Sequence, residues 1–307
     1  MQERNKQYKR WGGNWTEQKL DTFESYVRAY LNIMNKYRDK FGWKLLYFDG
    51  FAGSGSRSED DRKHEAENFL EIFGEETVDT GELSVYQGAA ERVVKLEQTM
   101  RGFDYYYFVD MFDKNCTKLK LKLEAYPTKG YKVFRQGDAN DMIRQLADAM
   151  NEDKKLKALV FLDPFGMQID WTSIVTLASK GIDLWVLLAT GVIINRLLKR
   201  DGTLMYPETL ERFFGISKDE IKKRFYERKV DLDLFTDVCE KYVKISDSIA
   251  KIADLFCERI SDLFDYVTPK PLVLKNDNNV SIYHFVCASN NQTAVKIAQD
   301  IIEKRQK

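Results

Sequence analysis

Lys44-Leu45-Leu46-Tyr47-Phe48-Asp49-Gly50-Phe51-Ala52-Gly53-Ser54-Gly55 is the stretch that decides the fold. Lys44 to Phe48 read as an apolar strand that ends at an acid and then turns through three glycines. In an open α/β sheet, ligands bind beyond the carboxyl ends of the strands, and glycine lets the backbone approach them closely. The spelling excludes two familiar nucleotide loops. Counted from Gly50 the spacing suits a phosphate loop, but Ser56-Arg57 stands where Lys-Ser/Thr belongs. Counted from Gly53, the dinucleotide pattern meets Ser58 where it needs its last glycine.

Working outward, the same design recurs. Tyr105 to Val109 read as a strand ending at Asp110, and Tyr131 to Phe134 as one closing on Gly137-Asp138-Ala139. Ala158 to Leu162 end at Asp163, and Asp183 to Leu188 give a fifth strand. Helical spacings lie between them: after Gly88, through Leu119 and Leu123, and around Met142, Ile143 and Leu146. Strands alternating with helices predict an α/β fold with a doubly wound, mainly parallel sheet. Upstream, Thr16 to Phe41 read as an amphipathic helix with Leu20, Phe23, Val27, Tyr30, Leu31 and Met34 on one face. Thr16 is its candidate cap, although Lys19 stands where a capping box takes Glu or Gln.

The division expected is an N-terminal helical segment (1–43), an α/β core (44–194), a helical insertion (195–266) and a last segment (267–307). Within the core, 56–87 is an insertion carrying the charge run Ser56 to Lys63 and a short helix at Asn68 to Phe73. The last segment holds a hairpin, Pro271 to Leu274 and Ser281 to Val286 about a turn at Asn276 to Asn279, then a helix.

Composition narrows the function classes. Forty-eight basic and 48 acidic side chains cancel, so no whole-molecule charge argues for nucleic-acid binding. Two local patches remain, Ile221 to Lys229 with its interleaved aromatics, and Arg196, Lys199 and Arg200; a solvated helix face explains either. No apolar run reaches membrane-spanning length and the charged start lacks a signal sequence, which points to a cytoplasmic protein. Cys116, Cys239, Cys257 and Cys287 are scattered, as reduced packing residues are, and form no metal-ligand pair. His64 and His284 lack metal spacing, and His284, within an apolar strand, reads as a satisfied structural residue.

An acid at a strand end followed by F-A-G-S-G resembles the first motif of class I S-adenosylmethionine (SAM) methyltransferases, which have a Rossmann-like fold. A closing β-hairpin after the fifth strand, here preceded by a helical insertion, is also of that type. The resemblance implies that SAM is the cofactor. Asp49 would serve the methionine amino group, directly or through water, with Gly50, Phe51, Ala52, Gly53 and Gly55 around it. Asp110, beside Met111, would accept the ribose hydroxyls, and Asp138, beside Ala139, the adenine amino group. Any one Asp at a strand end is explained by turn and cap preferences; four in register are not.

Asp163-Pro164-Phe165-Gly166 is similar to the catalytic motif of methyltransferases that act on exocyclic amines, in the form seen in tRNA guanine-N2 enzymes. DNA adenine enzymes usually show D-P-P-Y instead. The residue types suit the chemistry. An aryl amine is a poor nucleophile because its lone pair is delocalised. Hydrogen bonds from its protons to Asp163 and the Pro164 carbonyl localise that pair, and Phe165 stacks on the base, so catalysis is largely positioning.

Across most of the chain the landmarks resemble the three-Cys-motif partner (TcmP) family, bacterial and phage proteins encoded beside a cysteine-motif, radical-SAM-like protein. The matching runs are Tyr47 to Gly55, Phe161 to Trp171, Asp183 to Trp185, Asn195 to Leu198 and Tyr283 to Ser289. Gln87-Gly88-Ala89 departs from the family's Gly-Ser at that place. The expected function is SAM-dependent N-methyl transfer to an exocyclic amine of nucleic acid or a modified base. Its rival is a methyltransferase-like subunit that catalyses nothing and binds the cysteine-motif protein. A metal-dependent nuclease ranks last, because no acid-x-Lys element accompanies a suitable strand.

Overall fold

The N-terminal apolar stripe forms a helix, α1 (Asn14–Phe41), in a computed structural model that describes residues 14–55, 88–178, 181–231 and 239–306. Leu20, Phe23, Val27, Tyr30 and Leu31 are buried along one face. Phe23 stacks on Phe161 at 4.2 Å, and Tyr26 meets Trp185 at 5.0 Å, so α1 is pinned to the sheet by aromatic contacts. Thr16 is not the cap: the helix already runs from Asn14, and Thr16 is buried within its first turn.

Five parallel strands make the sheet: β1 (Lys44–Asp49), β2 (Tyr105–Asp110), β3 (Tyr131–Gln136), β4 (Leu156–Leu162) and β5 (Ile182–Leu188). Their spatial order is 3-2-1-4-5. Helices α2 (Ala89–Lys95), α3 (Asp113–Glu124), α4 (Ala139–Glu152) and α5 (Trp171–Leu177) fall between them in sequence. The central strands β1, β4 and β5 are buried almost throughout, as strands covered on both faces must be. The chain reverses direction across the sheet between β1 and β4, and that switch point is where an open α/β sheet leaves a crevice.

The block after β5 is not the all-helical insertion expected. It holds α6 (Pro207–Phe214) and α7 (Lys218–Phe225), then an antiparallel pair, β6 (Tyr226–Asp231) and β7 (Cys239–Lys244), then α8 (Ser248–Ser261). The β-forming Tyr226, Val230, Tyr242 and Val243 override the helix-like charge pattern there. The basic run Ile221 to Lys229 therefore straddles α7 and β6 and is no single helix face, and its Arg224 is paired with Glu220 and Glu258. Arg196, Lys199 and Arg200 share no helix either, because the turn Asn195–Leu197 stops before Leu198 bridges to Leu204.

β8 (Tyr266–Val267), β9 (Leu272–Lys275) and β10 (Ser281–Ser289) complete the large sheet, and α9 (Gln292–Arg305) closes the described chain. β10 runs antiparallel to β5 on one side and to β8 and β9 on the other. The predicted hairpin is thus present, with β10 as its inner strand. A 3-2-1-4-5 parallel sheet closed by an antiparallel hairpin is the class I methyltransferase-type α/β fold expected from the sequence. The 56–87 insertion, with its charge run, its expected helix and His64, lies outside the described residues. Among the described residues, no helix is long and apolar enough to cross a membrane.

Candidate functional site

Asp49 ends β1 at the switch point, and the glycine turn after it is stitched to both neighbouring strands. Gly50 N donates to the Phe161 carbonyl of β4 (3.0 Å) and Ala52 N to the Val109 carbonyl of β2 (2.8 Å). Gly53 and Gly55 both have φ +62°, a left-handed conformation costly to any side chain. Gly50 needs its bareness for space: a Cβ there would stand 2.7 Å from Leu162 Cδ2. Ala52, Gly53 and Gly55 thus shape the turn.

The acids behind this turn are turned inward. Asp49 is buried, accepting from Phe51 N (3.2 Å) and from Tyr47 Oη (3.1 Å). Asp110 accepts from Gly53 N (3.1 Å), Phe112 N (2.8 Å) and Asn115 Nδ2 (3.0 Å), so it ties the β1 turn to the end of β2. Burial pushes the Asp49 carboxyl up to about 7, with Asp163 and Asp110 nearby adding to the effect. Burial likewise pushes Asp110 up to about 6. Asp138 follows β3 as the N-cap of α4, accepting from Asn140 N (2.7 Å), which is the cap preference weighed above.

A narrow cleft opens at these strand ends, lined by Gly50, Phe51, Asp110, Met111, Gly137, Asp138, Ala139, Phe165 and Gln168. Seven of these are residues that the sequence singled out. Asp49, Ala52, Gly53, Gly55, Asp163, Pro164 and Gly166 stand outside its wall. Gln168 was not foreseen. Both its amide nitrogen and its amide oxygen are buried, with no hydrogen-bond partner among the described residues. A buried amide left unpaired costs about 1–3 kcal/mol. Its place five residues beyond Asp163, in a loop reaching back over the cleft, was the available signal.

The end of β4 holds the second surprise. Asp163 is buried, and its Oδ2 receives a 2.8 Å bond from the ammonium of Lys19 on α1, which is wholly buried too. An amine approaching Asp163 therefore meets a carboxylate already bonded to a cation. The signal was a lysine set on the apolar stripe of α1, four residues before Phe23. Among the described residues, no group of three His, Cys, Asp or Glu could hold a metal ion.

No protein-family model and no curated protein matches the sequence. Among solved structures the chain is similar to Trm1 from Pyrococcus horikoshii in complex with S-adenosyl-L-methionine, at 11% identity and TM-score 0.40. That match covers 91% of this chain and 57% of the other, so this chain spans little more than half the length of Trm1. It is also similar to a putative methylase from Haemophilus influenzae, at 15% identity and TM-score 0.24, covering 69% of this chain and 84% of that one. A putative caffeoyl-CoA O-methyltransferase from Staphylococcus aureus shows 9% identity and TM-score 0.28 over 91% and 93% of the two chains. Likenesses this weak add nothing to what the strand order establishes.

Proposed function

We propose that this protein is a SAM-dependent methyltransferase directed at an exocyclic amine of nucleic acid or a modified base. The observation that carries the reading is Gln168, a residue of the cleft wall at the switch point of the sheet whose buried amide has no hydrogen-bond partner among the described residues. The edge of an adenine ring presents an amino donor beside a ring-nitrogen acceptor, the complement of an amide. Met111 and Phe165 supply apolar cleft wall. Asp110 already accepts three bonds, and a carboxylate has about four sites, so it can take one ribose hydroxyl while still holding Gly53. Asp49 stands behind the turn rather than in the cleft wall.

The cofactor, when bound, supplies an electrophilic methyl group on a sulfonium. The chain's own contribution is to position the acceptor. Asp163 and the Pro164 carbonyl would receive the amine protons, with the charge of Asp163 balanced by Lys19. Catalysis by orientation of this kind needs no further acid or base. The test is transfer of labelled methyl from SAM to bulk tRNA and to DNA, with Asp163→Ala as control. Label in one of them, lost in the variant, supports the reading. A protein that binds SAM yet labels neither contradicts the substrate class.

The Lys19–Asp163 pair also favours a second reading, a methyltransferase-like subunit of the kind the resemblance to three-Cys-motif partner proteins implies. There the acid is neutralised for stability and the protein serves a cysteine-motif partner. Co-purification of the two proteins with no methyl transfer by either, alone or together, would select it.

A further inference from the structure

A cleft of about 960 Å³ lies away from the strand-end cleft. Its walls include Trp15 of α1, Asn195 and Ser248 beyond β5, His284 of β10, and Lys275 and Arg305 at its rim. We propose that this cleft binds a nucleotide, with His284 Nε2 as hydrogen-bond partner of the base and Lys275 and Arg305 as partners of the phosphate.

His284 carries the argument. It is 6% exposed, yet lines the cleft. Its Nδ1 is engaged by Thr190 Oγ1 at 2.8 Å. The Thr190 hydroxyl also reaches the Ile282 carbonyl at 3.4 Å, so it is anchored between the ring and the β10 backbone. The bond to Thr190 fixes the orientation of the ring and leaves Nε2 outside it. Burial lowers the imidazole to about 4, which keeps the ring neutral at physiological pH. A neutral, oriented imidazole is set into a cleft, and the function proposed above makes no use of it.

Three further observations agree. Thr190 opens a π-helix, Thr190–Ile194, a distortion found frequently at functional sites. Ser248 Oγ donates to Asn195 Oδ1 at 2.6 Å, fixing a second polar group in the same wall. Trp15 gives the cleft an aromatic surface, and aromatic surfaces accept bases by stacking. The cleft is within the size range of small-molecule sites. Among the described residues, Asp247 is the one carboxylate in the wall, against Lys275 and Arg305, the latter also 3.5 Å from Asp21 Oδ2. His284 pairs with Leu188 of β5, which lies two residues beyond the Val186 paired with Leu162 of β4. His284 is therefore two strands and two residues, about 12 Å, from the β4 end that leads into Asp163. The cleft is placed to receive the methyl acceptor. That last step rests on the methyltransferase reading; the binding site does not.

The chain has only two histidines, so the ring nitrogens of His284 can be assigned by NMR with a His64→Gln variant. The four ribonucleoside 5′-monophosphates are titrated with and without SAM, and SAM binding is measured separately. The expected result is a saturable shift of the His284 Nε2 resonance by at least one nucleotide, with affinity reduced about tenfold or more by Arg305→Ala. No shift with any of the four at millimolar concentration would overturn the proposal. A shift insensitive to Arg305→Ala would overturn the assignment to a nucleotide. Nucleotide binding without SAM binding would instead remove the methyltransferase reading and leave this site standing.

Discussion

Lys19 Nζ and Asp163 Oδ2 lie 2.8 Å apart with both side chains sealed from solvent, joining α1 to the end of β4 across 144 residues of sequence. Two charges at such a place hold each other there. Removing the lysine alone strands a buried carboxylate, so Lys19→Met should destabilise the protein by about 3–5 kcal/mol. Lys19→Met combined with Asp163→Leu should recover most of that loss, because an apolar pair replaces an ionic one. Urea unfolding of the three proteins checks this, and equal losses in single and double variants would contradict it.

Gln168 separates function from stability. Its unpaired amide destabilises the free protein, so Gln168→Leu should raise stability by about 1 kcal/mol. The same change should weaken SAM binding tenfold or more. Thermal melts with and without SAM read both effects, and a variant that is less stable yet binds SAM as before would show the amide to be ordinary packing.

The buried acids fix a pH dependence. Asp49 titrates near 7 and Asp110 near 6 in the folded protein, against about 3.8 unfolded. Between these values the folded protein holds protons that the unfolded chain has released. The stability these groups contribute is therefore full below about pH 4 and lost as pH rises through 6 and 7. Asp49→Asn should flatten its share of that fall. Comparing variant and wild type in urea from pH 4 to 8 isolates the effect from other carboxylates, and a difference that grows in the opposite direction contradicts it.

The two left-handed glycines should respond unequally. Among the described residues a Cβ on Gly53 meets nothing within 4 Å, so Gly53→Ala carries the conformational cost, about 1–2 kcal/mol. At Gly55 the Cβ would also press on Leu119 Cδ1 at 2.9 Å, so Gly55→Ala should cost more. Denaturant midpoints for the pair test the order.

Local signals placed much of this in the sequence. Each strand ending in Asp was readable because burial, turn chemistry and the period of the chain act over a few residues, and the mainly parallel sheet follows from alternation with helices. The hairpin of β6 and β7 was hidden under a charge pattern that suits a helix equally well. Lys19 was visible as a misplaced charge, but its partner lies far along the chain and only packing reveals it. Gln168 and His284 are defined by the bonds they make or lack, which no spacing records. The inward turn of Asp110 toward Gly53 belongs to the same class.

Isothermal titration of the protein with SAM, beside Asp110→Ala checked for folding by circular dichroism, tests the central claim most directly. The account predicts one-to-one binding by the wild type and a loss of tenfold or more in the folded variant. A folded wild-type protein that takes up neither SAM nor its demethylated product would contradict it.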